Sequence, residues 1–294
     1  MNSKFRKLMY VLLSVVIVIT SLFIAREKKQ SYEEKKLLEV LQEEQRKEEA
    51  NIKEKIQNNE NENSEKGKET QENKEEYVEQ QQILPQYKSL YERNEDFYGW
   101  IKTEDLGMDF PVMYTPQEGR ENFYVYQNFE KEYSKSGSIY IDYRCRSEGN
   151  NYLIYGHNMS DLSMFGYLSY YKEEKFYQNH RYIKFDTIYE EGEYEIISVS
   201  KAFIKKEDLE DPSSKNNSKV PYKEVSDEDY LFYNHVILSN EQEFNDYVKY
   251  MKEHSYYEID SNAQYGDKLI TLCTCTNIKQ WQNERLLIVA KKIE

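Results

Sequence analysis

Apolar positions are spread unevenly along this chain, in three textures. From Leu8 to Ala25 (LMYVLLSVVIVITSLFIA) they form an uncharged, almost unbroken run. From Arg26 to Gln82 nearly every residue is Glu, Lys, Gln, Asn, Arg or Ser, with only scattered Leu, Ile, Val and Tyr. Beyond Leu84 apolar residues recur in short blocks. The first run is about as long as the minimum needed to cross ~30 Å of hydrocarbon as a helix, and it predicts a transmembrane anchor. Lys4, Arg6 and Lys7 would also suit a signal peptide, but Phe23-Ile24-Ala25 is a poor small-x-small cleavage site. The basic residues on the two flanks nearly cancel, so they do not set the orientation. A short N-terminal tail ahead of a long polar body is nevertheless the layout of a signal anchor with the body exported. The predicted organisation is a cytoplasmic tail at 1–7, an anchor at 8–25, a charged stalk at 26–84 that is helical or disordered, and a globular domain at 85–294 outside the cell membrane.

The stalk buries too little apolar surface to offset the entropy of ordering it. Leu37, Leu41, Ile52 and Ile56 stand at helical spacing, but Gln45 and Glu48 interrupt the stripe and no sustained heptad follows, which favours a solvated helical or fluctuating stalk over a coiled coil. Order begins near Leu84-Pro85, and Gln86 to Asp96 reads as an amphipathic helix with Pro85 suited to its start. The period then changes. The runs at Gly99–Lys102, Asp109–Met113, Gly137–Ile141, Asn151–Tyr155, Tyr182–Phe185, Tyr194–Val199, Lys268–Thr274 and Leu286–Ala290 are β-rich and separated by Gly, Asn, Asp and Pro. Many short strands with few helices predict a mainly β fold, a barrel or sandwich. Two helical insertions interrupt them, Leu162 to Tyr171 and Asn240 to His254, the second with Phe244, Tyr247, Val248 and Met251 on one face. The polar interval from Lys205 to Val225, with Pro212 and Pro221, reads as a long surface loop of the kind that lines a groove.

The chain has 294 residues, 38% of them hydrophobic and 32% charged, consistent with one medium domain plus the polar appendage. Its net charge of −14 argues against a nucleic-acid partner, which would require a basic face. The 29 tyrosines are scattered along strands and helices and read as half-buried strand positions. Three cysteines, Cys145, Cys273 and Cys275, are too few for a disulfide scaffold, and the odd count in an exported chain leaves at least one free thiol. A Cys-x-Cys zinc site is a poor reading, since zinc sites favour two to four intervening residues and further ligands.

The candidate chemistry lies in Thr271-Leu272-Cys273-Thr274-Cys275-Thr276 and in Arg285, ten positions after Cys275. Strand alternation puts Thr271, Cys273 and Cys275 on one face. An antiparallel pairing with Cys275 opposite Arg285 sets Leu272 against Ile288 and Thr271 against Val289, which brings a thiol and a guanidinium within reach. A thiol needs a base or a cation beside it to act as a nucleophile near neutral pH. Of four histidines, His157 stands at the end of the strand Asn151–Tyr155, where catalytic groups commonly lie. Each residue has a plainer reading: a core thiol, a structural imidazole, a surface charge. Their joint occurrence is what favours chemistry.

Thr-Leu-x-Thr-Cys with the Arg ten residues later resembles the active-site signature of the sortases, membrane-anchored cysteine transpeptidases of Gram-positive bacteria. Asp96-Phe97-Tyr98-Gly99-Trp100-Ile101, Asp109-Phe110-Pro111-Val112, Gly137-Ser138-Ile139-Tyr140-Ile141-Asp142-Tyr143-Arg144, Tyr155-Gly156-His157-Asn158-Met159 and Met164-Phe165-Gly166-Tyr167-Leu168 extend the likeness, closest to class B, over Tyr87 to Lys292. The resemblance implies a closed eight-stranded β-barrel with N-terminal helices and a helix in the connection between the sixth and seventh strands. It implies Cys275 as nucleophile, His157 as general acid and base, and Arg285 stabilising the oxyanion or substrate, with no metal or organic cofactor. Leu272, Cys273, Thr274 and Asn158 are the candidate substrate-binding residues. Implied partners are exported proteins with a C-terminal sorting signal, and as acceptor a peptidoglycan-precursor amine or a pilin lysine. The chain departs from class B at Cys273, where Ser is usual. Two other classes compete: a membrane-tethered peptide-binding module without turnover, and a thiol hydrolase releasing peptide to water.

Overall fold

The computed structural model describes residues 3–63, 82–103, 107–146, 149–206, 223–226, 228–276 and 283–293. The chain divides into two compact units, Met1–Glu44 and Gln45–Glu294. The first is helical, supplied by α1 (Ser3–Asn63), and its apolar side chains between Met9 and Ile24 are exposed. This helix is long and apolar enough to cross a membrane.

The second unit is built on eight strands: β1 (Phe97–Lys102), β2 (Asp109–Tyr114), β3 (Ile139–Ile141), β4 (Asn151–Tyr155), β5 (Tyr182–Thr187), β6 (Glu193–Phe203), β7 (Leu269–Cys275) and β8 (Glu284–Lys292). They close into a barrel in the order β1-β2-β3-β4-β7-β8-β6-β5. Each block of β-branched and aromatic residues anticipated as a strand falls on one of these. Closure leaves no strand edge unpaired, which a mainly β fold must otherwise protect. Two of the pairings are parallel, β2 with β3 and β4 with β7. The β4–β7 pair needs a long crossover, and β5, β6 and α4 (Glu241–Glu253) supply it.

The anticipated apolar face of α4 is the buried one: Phe244, Tyr247, Val248 and Met251. Burial of Phe244, Val248 and Met251 contributes roughly 1.5 to 3 kcal/mol each. Asn240 caps the helix by accepting from the Glu243 N–H at 3.0 Å. The Tyr247 hydroxyl lies 2.7 Å from that of Thr271, which donates to Asn151 Oδ1 at 3.0 Å. These buried polar contacts tie α4 to β4 and β7 together, the strands that carry the site.

Three boundaries differ from the sequence reading. The helix expected over Gln86 to Asp96 is a 3-10 turn (Pro85–Tyr87) followed by α2 (Lys88–Arg93). Asn94 ends it, because its side chain accepts from the Asp96 N–H at 3.0 Å and the backbone turns extended. The segment Leu162 to Tyr171 is not an α-helix. Leu162 and Met164 have φ of 66° and 52°, and only Gly166–Lys172 coils, as a 3-10 helix. A short helix that was not anticipated, α3 (Glu174–Asn179), follows it. The loop expected over Lys205 to Val225 lies mostly outside the described residues, as does the stalk between Asn63 and Gln82.

The later part of α1 does not behave as a wholly solvated stalk. Within the second unit Gln45 is buried, and Arg46 donates to Asp109 Oδ2 at 2.9 Å while the Trp100 indole donates to Asp109 Oδ1 at 2.7 Å. A second buried carboxylate, Asp96, receives Arg120, Lys131 and Tyr124. Burial alone would raise its pKa, but these donors outweigh it and hold the carboxyl below the usual range.

Candidate active site

The parallel and antiparallel pairings around β7 decide which side chains meet. β7 pairs with β8 in the anticipated register, Cys275 opposite Arg285, Leu272 opposite Ile288 and Thr271 opposite Val289. On its other side β7 pairs in parallel with β4, Tyr155 beside Cys273. Because the two strands run the same way, continuing that register by two residues sets His157 beside Cys275. His157, Cys275 and Arg285 therefore form a row across three neighbouring strands. All three line one small cavity of about 60 Å³ with Val125, Tyr140, Tyr155, Gly156, Cys273 and Thr274.

The loop that carries His157 is fastened to β7 at several points. The Gly156 N–H donates to the Cys273 carbonyl at 3.2 Å, the Thr274 hydroxyl donates to the Gly156 carbonyl at 2.7 Å, and the Asn158 amide donates to the Cys275 carbonyl at 2.7 Å. Gly156 leaves room for the side chains packed beneath the loop: a Cβ there would stand 2.5 Å from Ile139 Cδ1 and 2.7 Å from the Phe165 ring. His157 itself is held by the connection between β2 and β3. Its Nε2 lies 3.0 Å from the Val125 carbonyl, and its ring packs against Tyr126 with centroids 5.6 Å apart. A carbonyl can only accept, so in the neutral ring Nε2 carries the proton and Nδ1 the lone pair. Gly137 makes room for that carbonyl. It has φ of 57°, and a Cβ would stand 2.2 Å from Val125 O.

Cys275 is the exposed cysteine, whereas Cys145 and Cys273 are buried. Burial, first, and then the Asp142 carboxylate push the Cys145 thiol up to about 12, and its sulfur accepts from the Leu153 N–H. It stays protonated and structural. Arg285 is half-buried and donates from Nη1 to the Glu284 carbonyl at 3.1 Å, which orients the guanidinium. Among the substrate-binding candidates, Cys273 and Thr274 line the cavity and Asn158 borders it through its bond to Cys275. Leu272 is fully buried, which removes it from any ligand's reach. The remaining histidines stack on aromatic rings elsewhere, His180 on Phe176, His235 on Tyr230 and His254 on Tyr250.

Sequence reasoning did not find Val125 or Tyr126. Their role depends on a carbonyl and a ring face brought back from a loop, for which the residue types give no signal. The second cavity beside Arg285, about 300 Å³ and lined partly by Asp142, Arg144 and Tyr233, was equally invisible.

An eight-stranded barrel with a thiol, an imidazole and a guanidinium at the ends of β7, β4 and β8 is the arrangement of a cysteine acyl-transfer enzyme. Residues 113–293 match the family described as the sortase domain, so the chain belongs to the sortase family. Among its relatives are two sortase B proteins. Sortase B of Staphylococcus aureus (strain NCTC 8325 / PS 47) is 28% identical over 218 residues, 73% of this chain and 78% of that one. Sortase B of Listeria monocytogenes serovar 1/2a is 27% identical over 214 residues, 72% and 76% of the two chains. Among solved structures, a Staphylococcus aureus sortase B–substrate complex superposes with a TM-score of 0.64 at 24% identity, covering 90% of this chain and 99% of that one. Another S. aureus sortase B structure gives 0.56 at 28% identity, covering 74% and 90%.

Proposed function

We propose that Cys275, His157 and Arg285 carry out the transpeptidation of this class B sortase, cutting a C-terminal sorting motif of exported proteins after Thr and joining the product to an amine. The observation that carries the assignment is that these three side chains line one cavity, Cys275 opposite Arg285 on β7 and β8 and His157 on the loop that follows β4. Cys275 Sγ attacks the Thr carbonyl, and the oxyanion that develops faces the Arg285 guanidinium. His157, which takes the thiol proton on Nδ1 as the sulfur attacks, gives that proton to the departing amine as the C–N bond breaks, leaving a thioester on Cys275. The incoming amine attacks the thioester and loses a proton to His157, and the thiolate departs. The acyl group leaves on nitrogen, and the proton on His157 passes back to the sulfur, which restores the starting state.

The same reading makes the apolar stretch of α1 a single-pass anchor of the cell membrane, with residues 26–84 as stalk and 85–294 as the extracellular catalytic domain. The acceptor is an amine of the cell-wall precursor; a pilin lysine would satisfy the same chemistry. Transfer and hydrolysis part at the second step, so product analysis separates them. With a sorting peptide and a primary amine together, the amide product should dominate. A free carboxylate product that is indifferent to added amine would make the protein a hydrolase, and saturable peptide binding without either product would make it a binding module.

Cys273 shares the face of Cys275 but is buried, and it is proposed to line the groove rather than to react. Cys273→Ser is expected to cleave a sorting peptide at a rate within about threefold of wild type, since Ser differs little in volume. A loss of several hundredfold in the same peptide-cleavage assay would give Cys273 a chemical role.

A further inference from the structure

Tyr155, Cys273 and Arg285 line two cavities at once, the small one that holds Cys275 and His157 and the larger one of about 300 Å³. The two are therefore one groove, narrowed by these side chains. Cys273 lies two residues back along β7 from Cys275, about 6.6 Å at the rise of a strand. In the proposed reaction His157 must reach the departing nitrogen, so the substrate downstream of the scissile bond lies on the His157 side. The upstream residues then run past Arg285 into the larger cavity, where an extended chain places the second and third residues before Thr.

At that place stands a guanidinium held in advance. Arg144 donates from Nε and Nη2 to the two carboxylate oxygens of Asp142, at 2.8 and 2.7 Å. The Asp142 carboxylate, 4% exposed, also receives the Tyr155 hydroxyl at 3.1 Å. An arginine has five N–H groups and two are engaged, so three have no protein acceptor among the described residues. Asn122 and Asn234 line the same cavity, with the carboxylate of Glu121 and the guanidinium of Arg285 as its further charges. We propose that Arg144 is a specificity-determining residue, donating hydrogen bonds to an amide or carbonyl oxygen two or three residues upstream of the scissile Thr.

The proposal rests on the assignment of Cys275 and His157 above, and its test keeps the two apart. The full chain in detergent micelles is assayed for cleavage of a parent peptide with the Asn-Pro-x-Thr-like signal that the class B resemblance implies, its Ser-Pro-x-Thr and Pro-Pro-x-Thr counterparts, and versions with Ala at the second or third position before Thr. Arg144→Met should raise KM for the parent peptide about tenfold, with kcat changed by less than about twofold. It should also erase the preference of wild type for the parent over one of the Ala peptides, and leave the KM of the acceptor amine unchanged. Arg144→Met leaves the Asp142 carboxylate unpaired, so Asp142→Asn with Arg144→Met is measured beside it and should give the same loss of preference in a stably folded protein. Preference retained in both variants, or an effect confined to the acceptor amine, overturns the role of Arg144 while the reaction stands. If wild type cleaves none of the peptides, both the reaction and this assignment fall.

Discussion

Cys275→Ala is expected to abolish cleavage of a sorting peptide, lowering kcat by at least about four orders of magnitude. The reaction proceeds through a bond to sulfur, and no neighbouring group can replace it. Cys273 is buried on the same strand, and the Cys145 thiol is held protonated by burial. The measurement is single-turnover cleavage together with mass spectrometry of the trapped acyl-enzyme, which should disappear in the variant. A variant that still acylates, alongside an inactive Cys273→Ser, would transfer the nucleophile to position 273. The fold should be untouched, because Cys275 stands at the exposed end of β7.

The second large effect is expected at Arg285. Replacement by Met should lower kcat by about 10²- to 10³-fold, the loss typical of a donor removed from an oxyanion site. Arg285→Lys should be nearly as damaging. Lysine keeps the charge but loses the planar fork, which in wild type is oriented by the bond from Nη1 to the Glu284 carbonyl. The loss should fall on kcat rather than KM if the guanidinium meets charge that develops only in the transition state. A lysine variant with kcat within about threefold of wild type would reduce Arg285 to a general positive charge.

The strand-period blocks and their turn residues were enough to place all eight strands, and alternation plus a ten-residue spacing set Cys275 opposite Arg285. The antiparallel partner of a strand is local information when the two strands are joined directly, as β7 and β8 are. The parallel pairing of β4 with β7 is not local, and the proximity of His157 to Cys275 came from the family resemblance rather than from the pattern. Where the sequence reading went astray, backbone and side-chain hydrogen bonds were responsible. Asn94 ended a helix that its composition would have continued, and the positive φ of Leu162 and Met164 broke a run whose side chains look helical. The groove beyond Arg285 could not be read because Asp142, Arg144, Tyr233 and Asn234 come from connections whose approach no periodicity encodes.

The Asn158 amide reaches the Cys275 carbonyl across 117 positions of sequence. The chain between them, with β5, β6 and α4, packs into the same unit, and ordering so long a loop carries an entropy cost that no local segment meets. The imidazole therefore meets the sulfur only through this long-range pairing, whereas the guanidinium is brought to it by the neighbouring strand. Acyl-transfer competence is thus a property of the closed barrel, because no shorter segment of the chain holds the thiol and the imidazole together.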